Sequence, residues 1–351
     1  MCPRRLRSWE GDEGKCAMHG RVAWIDCARG IGIILVVAGH VMTYVGNIPV
    51  SYAIFTFHMP FFVFLTSMVM KDQPWQEIAR SRAHTFLVPY VTYLILVGSP
   101  YALKTFHKSP HEGMEFVKNL VLGGNYLAGV VGPFWYLTAA YIALVIYMMF
   151  KNGLGAERSW KFFGAFVVVF AIAQGISSLP VAGPLPLGLL SVPAVLLFIW
   201  IGRIMPWTSQ ARLLTILSLL VILAAAAVDQ MTARQNFALD LKQGQLGLPV
   251  FGIMLAIAGS QLVFVLARGI ARVDVLLTGF ATIGRLTLPI LFLHQAVHFA
   301  LNAAGLQNQF AVTLLSVAVP VAFALIAQRV VPWACPYLGV PRLKAAAVSA
   351  S

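Results

Sequence analysis

No Asp, Glu, Lys or Arg occurs between Phe162 and Gly202. A water-soluble domain does not carry so long an uncharged run, because about a quarter of the residues in such domains are charged. A transmembrane helix needs about 20 consecutive apolar residues, so the run holds two. The segment "SSLPVAGPLPLG" divides it, and its prolines and glycines mark a turn between the two helices. The whole 351-residue chain follows suit: 59% of it is hydrophobic and only 11% charged. This composition excludes a soluble enzyme and predicts an all-α, polytopic membrane helix bundle.

Uncharged runs predict about ten transmembrane helices, at 22–45, 49–70, 84–103, 130–150, 162–179, 186–203, 212–228, 247–267, 280–302 and 310–329. Arg29 and Arg285 interrupt two of them. The net charge of +13 would suggest nucleic acid in a soluble protein. In a membrane protein it reflects basic residues gathered on cytoplasmic loops, so no nucleic-acid partner is expected and the bilayer is. With these spans, eighteen of the 25 Lys and Arg residues fall at one set of helix ends and five at the other. That bias places both termini in the cytoplasm of a multi-pass protein.

The polar stretch 1–20 has a basic start but no apolar stretch after it, so it reads as a disordered tail and not a signal peptide. Either Met1 or Met18 is compatible with the natural start. Residues 21–332 form the transmembrane domain and 333–351 a cytoplasmic C-terminal tail. The four cysteines, Cys2, Cys16, Cys27 and Cys335, form no C-x-x-C pair and predict neither a disulfide framework nor a metal site.

Ionisable groups within spans are costly in lipid and are functional candidates for that reason. They are Asp26, Arg29, His40, His58, His84, Arg285, His294 and His298. Asp26 and Arg29, three apart on one helix, can pair. Arg29 and His40 bracket "RGIGIILVVAGH". Eleven residues at 100° each make three turns plus about 20°, so the two share a helix face about 16 Å apart along the axis. Glycines 30, 32 and 39 leave room for a ligand or a neighbouring helix. Pro60, just after His58, should bend the second span. Arg285 and His294, nine apart on one expected span, point to opposite faces, whereas His294 and His298 share a face. The loop 104–129 contains "FHKSPHEGMEFVKNL", which suggests a short surface helix. His107 and His111 lie there near Glu112 and Glu115. They read as a solvated loop or as a lip for an acceptor.

These segments resemble the acyltransferase-3 membrane family. "RVAWIDCARGIGIILVVAGH" is similar to its opening span, with Arg and His separated by ten residues. "FTFHMPFFVFLTSMVM" resembles its second-span signature, above all in the branch that acetylates exopolysaccharides and Nod factors. "RSRAHTFLVPYVTY", "PFWYLTAAYIAL" and "IGRLTLPILFLHQAVH" resemble later segments in the family's order, from residue 21 to about 298. One departure stands out: some members carry two arginines three apart before the third span, but here Thr85 follows Arg82 at that distance.

The resemblance implies an O-acyltransferase of the bacterial inner membrane. It would move an acyl group, acetyl by preference, from cytosolic acyl-CoA to a sugar hydroxyl of a polysaccharide or its lipid-linked repeat unit. Acetyl-CoA is then the donor substrate, and no metal is required. The resemblance makes His40 the catalytic residue and Arg29 a donor contact, with Asp26 orienting Arg29. An imidazole suits the role of base because its pKa lies near neutrality. Arg80, Arg82, Arg203 and Arg285 are further candidates for coenzyme A phosphates, since guanidinium groups bind phosphate in a bidentate fashion. His58, Trp135, Tyr136 and His294 are candidates for the acceptor, the two aromatics near the far side. Two other functions remain open: a transporter or flippase, and a non-catalytic subunit of a polysaccharide export system.

Overall fold

A computed structural model describes residues 23–44, 46, 48–178, 185–232 and 239–342. Among them the chain is a bundle of α-helices with no β-sheet. The helices are α1 (Ala23–Tyr44), α2 (Ile48–Phe55), α3 (His58–Val69), α4 (Trp75–Arg82), α5 (Val88–Lys108), α6 (Pro110–Leu122) and α7 (Trp135–Leu154). They continue as α8 (Trp160–Ser178), α9 (Val192–Ile204), α10 (Ala211–Thr232), α11 (Pro249–Ile270), α12 (Asp274–Arg285), α13 (Thr287–Ala303) and α14 (Gln309–Val330).

Among the described residues, seven helical segments are long and apolar enough to cross a membrane, and α12 with α13 brings the number to eight if that bent pair is one span. The expected ten is reached only by adding two shorter apolar helices, Trp160–Ile176 and Ala211–Ala227. Several expected boundaries are corrected. The helix that carries the third span starts before residue 84: α4, a π turn at Ala83–Leu87 and α5 form one segment, Trp75–Lys108. Pro89 has no N–H to offer the carbonyl of Thr85, and the helix widens there into the π turn. The expected helix over 280–302 is two helices bent by 76° between Arg285 and Thr287. Pro289 is the physical cause, because its ring crowds the carbonyl of Arg285 and cannot donate to it. Pro60 acts in the same way on Thr56, where the chain breaks between α2 and α3.

Helix α1 is the axis of the bundle. Ile25, Cys27, Ala28 and Ile31 belong to one buried cluster, with Phe61, Phe64, Phe198 and Phe264. Ile33, Val36, Val37 and Val41 belong to a second, with Tyr93, Phe134 and Phe292. Lipid tails are as apolar as leucine, so close packing and not escape from water holds such helices together. Glycines make that packing possible. Gly30 of α1 lies against the carbonyl of Phe280, and Gly284 of α12 lies against the carbonyl of Asp26. A methyl group at either position collides with backbone. Gly32 faces the ring of Phe61 and Gly39 the ring of Phe55. All three glycines of "RGIGIILVVAGH" therefore seat neighbouring helices.

Charged groups tie the ends of α3, α7 and α9 together. Arg203 Nε donates to Glu157 Oε1 at 2.7 Å, its Nη2 to Asp72 Oδ1 at 2.6 Å, and its Nη1 to the carbonyl of Met70 at 2.8 Å. Tyr147 donates to the same Glu157 oxygen at 2.9 Å. Beyond α14 the chain remains part of the bundle: Cys335, Leu338 and Val340, placed by sequence in a tail, are buried. The Tyr93 hydroxyl donates to the carbonyl of Leu338 at 3.2 Å. The suggested surface helix at 104–129 is α6, capped by Ser109, whose hydroxyl accepts from the Glu112 N–H. Residues 1–22 and 343–351, including Cys2, Cys16 and Met18, lie outside the described residues.

Candidate active site

Asp26 and Arg29 form the expected pair one turn inside α1: Arg29 Nη1 donates to Asp26 Oδ1 at 2.9 Å. The aspartate side chain is only 6% exposed and the arginine 23%. Arg29 lines a cavity of about 270 Å3. Arg82 and Arg285 line the same cavity, together with Tyr136, Thr66, Thr85 and Thr287. The rest of the wall is apolar, with Ile33, Val36, Phe62, Phe86 and Leu291.

Two features in the fold bring the three arginines together. The Gly30 and Gly284 contact presses α12 onto α1, which sets its last residue, Arg285, near Arg29. The bend after Arg285 then turns α13 upward along α1. Because of that bend, the expected opposition of Arg285 and His294 across a straight helix does not apply. The π turn after Arg82 lies beside the cavity, and the Arg82 guanidinium sits 5.6 Å over the ring of Phe86. Arg82 Nε is buried without a hydrogen-bond partner. Arg80, on the same short helix, is exposed and does not line the cavity. Arg203 is engaged by Asp72 and Glu157 instead.

Arg29, Ile33 and Val36 recur along one face of α1, and all three line the cavity. His40 is the next residue on that face, one turn or about 6 Å beyond Val36. On α13 the wall ends at Leu291, and His294 is the next residue on that face. The two imidazoles meet just past the cavity, their ring centroids 5.3 Å apart. His294 is fully buried, and its Nδ1 lies 2.9 Å from the Ile290 carbonyl. That bond fixes Nδ1 as the N–H donor in the neutral ring, so Nε2 carries the lone pair. Nε2 has no hydrogen-bond partner.

His58 begins α3, with its Nδ1 3.3 Å from the Phe55 carbonyl. The Phe55 ring stands between it and His40, at 4.8 Å and 5.3 Å respectively. One turn beyond His294, His298 packs its ring 5.0 Å from Tyr44. His58, His294, His298 and Lys242 all lie within electrostatic reach of His40.

The structure separates the two aromatic candidates. Tyr136 lines the cavity with the arginines and so sits toward the Arg29 end, not on the far side. Trp135 is 7% exposed, belongs to the apolar core and does not reach the cavity. His84, His107 and His111 are exposed. Among the described residues, no three His, Cys, Asp or Glu side chains gather where they could hold a metal ion.

Sequence reasoning missed two contributors. Gly339 lines the cavity from beyond α14, and no pattern in "CPYLGV" signals that return. Lys242, from the segment between α10 and α11, donates to the Leu127 carbonyl, while its own carbonyl accepts from Asn125 Nδ2 and from Ser191 Oγ at 3.3 Å. Burial lowers the pKa of its ammonium below the ordinary lysine value, and nearby Asp240 opposes that shift. Part of this loop, 233–238, is outside the described residues. A family model described as an acyltransferase domain matches residues 22–329. No curated protein and no solved structure gave a match.

Proposed function

The chain belongs to the acyltransferase-3 family, a family of membrane acyltransferases, and from that premise we propose that it moves an acetyl group from cytosolic acetyl-CoA to a sugar hydroxyl. The acceptor is an exopolysaccharide or its lipid-linked repeat unit, and the protein resides in the bacterial inner membrane. One observation carries this reading: a cavity with Arg29, Arg82 and Arg285 ends one helical turn short of the His40 and His294 pair. Guanidinium groups suit the phosphates of coenzyme A. An apolar wall between them and His40 suits the acyl arm. Because eighteen of 25 basic residues gather at the helix ends nearer Arg29, the donor enters from the cytoplasm.

In this mechanism His40 accepts the proton of the sugar hydroxyl as its oxygen attacks the thioester carbon. The tetrahedral intermediate collapses with cleavage of the C–S bond, and the departing thiolate takes the proton from His40. The products are the acetyl ester and coenzyme A thiol, and the imidazole returns to its neutral form. Arg29 holds the donor and does not reach the reacting carbon, because the straight α1 keeps it about 16 Å from His40 along the axis. Two measurements test the reading. Acetyl-CoA should bind the purified protein, and the surface glycans of a deletion strain should lose ester-linked acetyl groups. Unchanged glycan acetylation together with no acetyl-CoA binding would refute it.

A further inference from the structure

Helices α1 and α13 run side by side in parallel from the cavity toward the end of the bundle where α1 finishes. Their ring contacts advance together: His40 meets His294, and one turn further on each helix Tyr44 meets His298. Another turn along α13 lies Asn302. His294, His298 and Asn302 are spaced four residues apart and cover about 12 Å of the helix. Each has a buried polar atom with no hydrogen-bond partner: His294 Nε2, both ring nitrogens of His298, and Asn302 Nδ2. His294 is fully buried and His298 only 2% exposed.

A neutral imidazole always carries one N–H donor and one lone-pair acceptor, whichever tautomer it adopts. Both are unused in His298, and the acceptor is unused in His294. Apolar residues would fill this seam at no such cost, since unpaired polar groups are unfavourable inside a bundle surrounded by lipid. The stripe therefore awaits a partner rich in groups that both donate and accept. Carbohydrate hydroxyls do both. Aromatic faces accompany them: Phe299 stacks on His298 at 5.4 Å, and Tyr44, 6.0 Å from Phe299, is 56% exposed at the open end.

We propose that the α1 and α13 seam from Tyr44 to His40 is the binding path of the carbohydrate acceptor, with His298 and Asn302 pairing its hydroxyls and Tyr44 stacking on a sugar ring. This rests on the acyltransferase reading above, and it names the acceptor's site within it.

The test uses native membranes, whose endogenous glycan is the acceptor, and radiolabelled acetyl-CoA at varied concentration. His298→Phe keeps the ring volume and removes both unpaired nitrogens. Asn302→Leu does the same at the outer turn. Each should lower the rate at saturating acetyl-CoA about tenfold while leaving the KM for acetyl-CoA unchanged. His298→Gln, which restores one donor and one acceptor, should recover most of the rate. His298→Phe should also melt no lower than the native protein, which separates lost binding from lost folding. If wild-type membranes transfer label and both variants keep the native rate, the path is refuted and the acyltransferase reading stands. If the variants lose rate only in step with thermal stability, or raise the KM for acetyl-CoA equally, the path is likewise refuted. If wild-type membranes transfer no label, the acyltransferase reading itself fails, and the path with it.

Discussion

Replacing Gly284 with alanine should loosen the bundle, whereas the same change at Gly279 should tighten it. Both glycines lie in α12. Alanine is favoured over glycine within a helix by about 1 kcal/mol, and this gain applies at both positions. At Gly279 an added Cβ meets nothing within 4 Å, so the gain stands unopposed. At Gly284 it collides with the carbonyl of Asp26, close to the backbone nitrogen of Gly30. Backbone cannot rotate aside as a side chain can, so α1 and α12 must part. Overpacking of this kind costs about 1–3 kcal/mol and exceeds the propensity gain over most of that range. The expected net is a loss of up to about 2 kcal/mol for Gly284→Ala and a gain of up to about 1 kcal/mol for Gly279→Ala. The assay is thermal unfolding of the detergent-purified variants, followed by tryptophan fluorescence. If Gly284→Ala melts at or above the native temperature, α12 is not clamped to α1 through this contact, and the placement of Arg285 beside Arg29 loses its cause.

Four further outcomes follow from the packing and charge contacts. Glu157→Leu should destabilise by about 2–3 kcal/mol, because it leaves the half-buried Arg203 guanidinium and the Tyr147 hydroxyl without their shared acceptor. Asp72→Ala should cost less than about 1 kcal/mol, because that carboxylate is 57% exposed; a chemical melt of each variant separates the two. Arg29→Lys should weaken acetyl-CoA binding about tenfold with insertion unchanged, since lysine cannot keep both the Asp26 bond and a forked phosphate contact; isothermal titration of the purified variant decides it. Lys242→Met should leave acetyl-CoA binding unchanged and lower the melting temperature, through loss of the charged bond to the Leu127 carbonyl.

The sequence is most informative where a rule acts along one helix. The spacing of Arg29 and His40 needs only the helical repeat, and α1 is continuous from Ala23 to Tyr44. The pairing of Asp26 with Arg29 is of the same kind. Tertiary placement is harder to read. Arg285 interrupts an apolar run that looks like a single span, yet Pro289 four residues later breaks the helix at its carbonyl. The signal lies in "GRLTLP", but the length of the apolar run masks it. Tyr136 looks like a far-side aromatic because α7 starts there, but the 3-10 turn Gly129–Phe134 precedes it in the same span and shifts it toward the arginines. Gly339 and Lys242 reach the site region by long-range return of the chain, which no local pattern encodes. The meeting of His40 with His294 joins residues 254 positions apart, and each was visible alone only as an ionisable group in an apolar run.

His40 is proposed as the base at the inner end of a donor cavity. The most direct measurement is acetyl transfer from radiolabelled acetyl-CoA to membrane glycan, comparing wild type with His40→Ala at matched levels of inserted protein. Loss of a general base costs about 10²–10⁴-fold in rate. His40→Ala should show a fall of that size with acetyl-CoA binding retained, because Arg29, Arg82 and Arg285 remain in place. Transfer by His40→Ala at the wild-type rate would contradict the role of His40 as base.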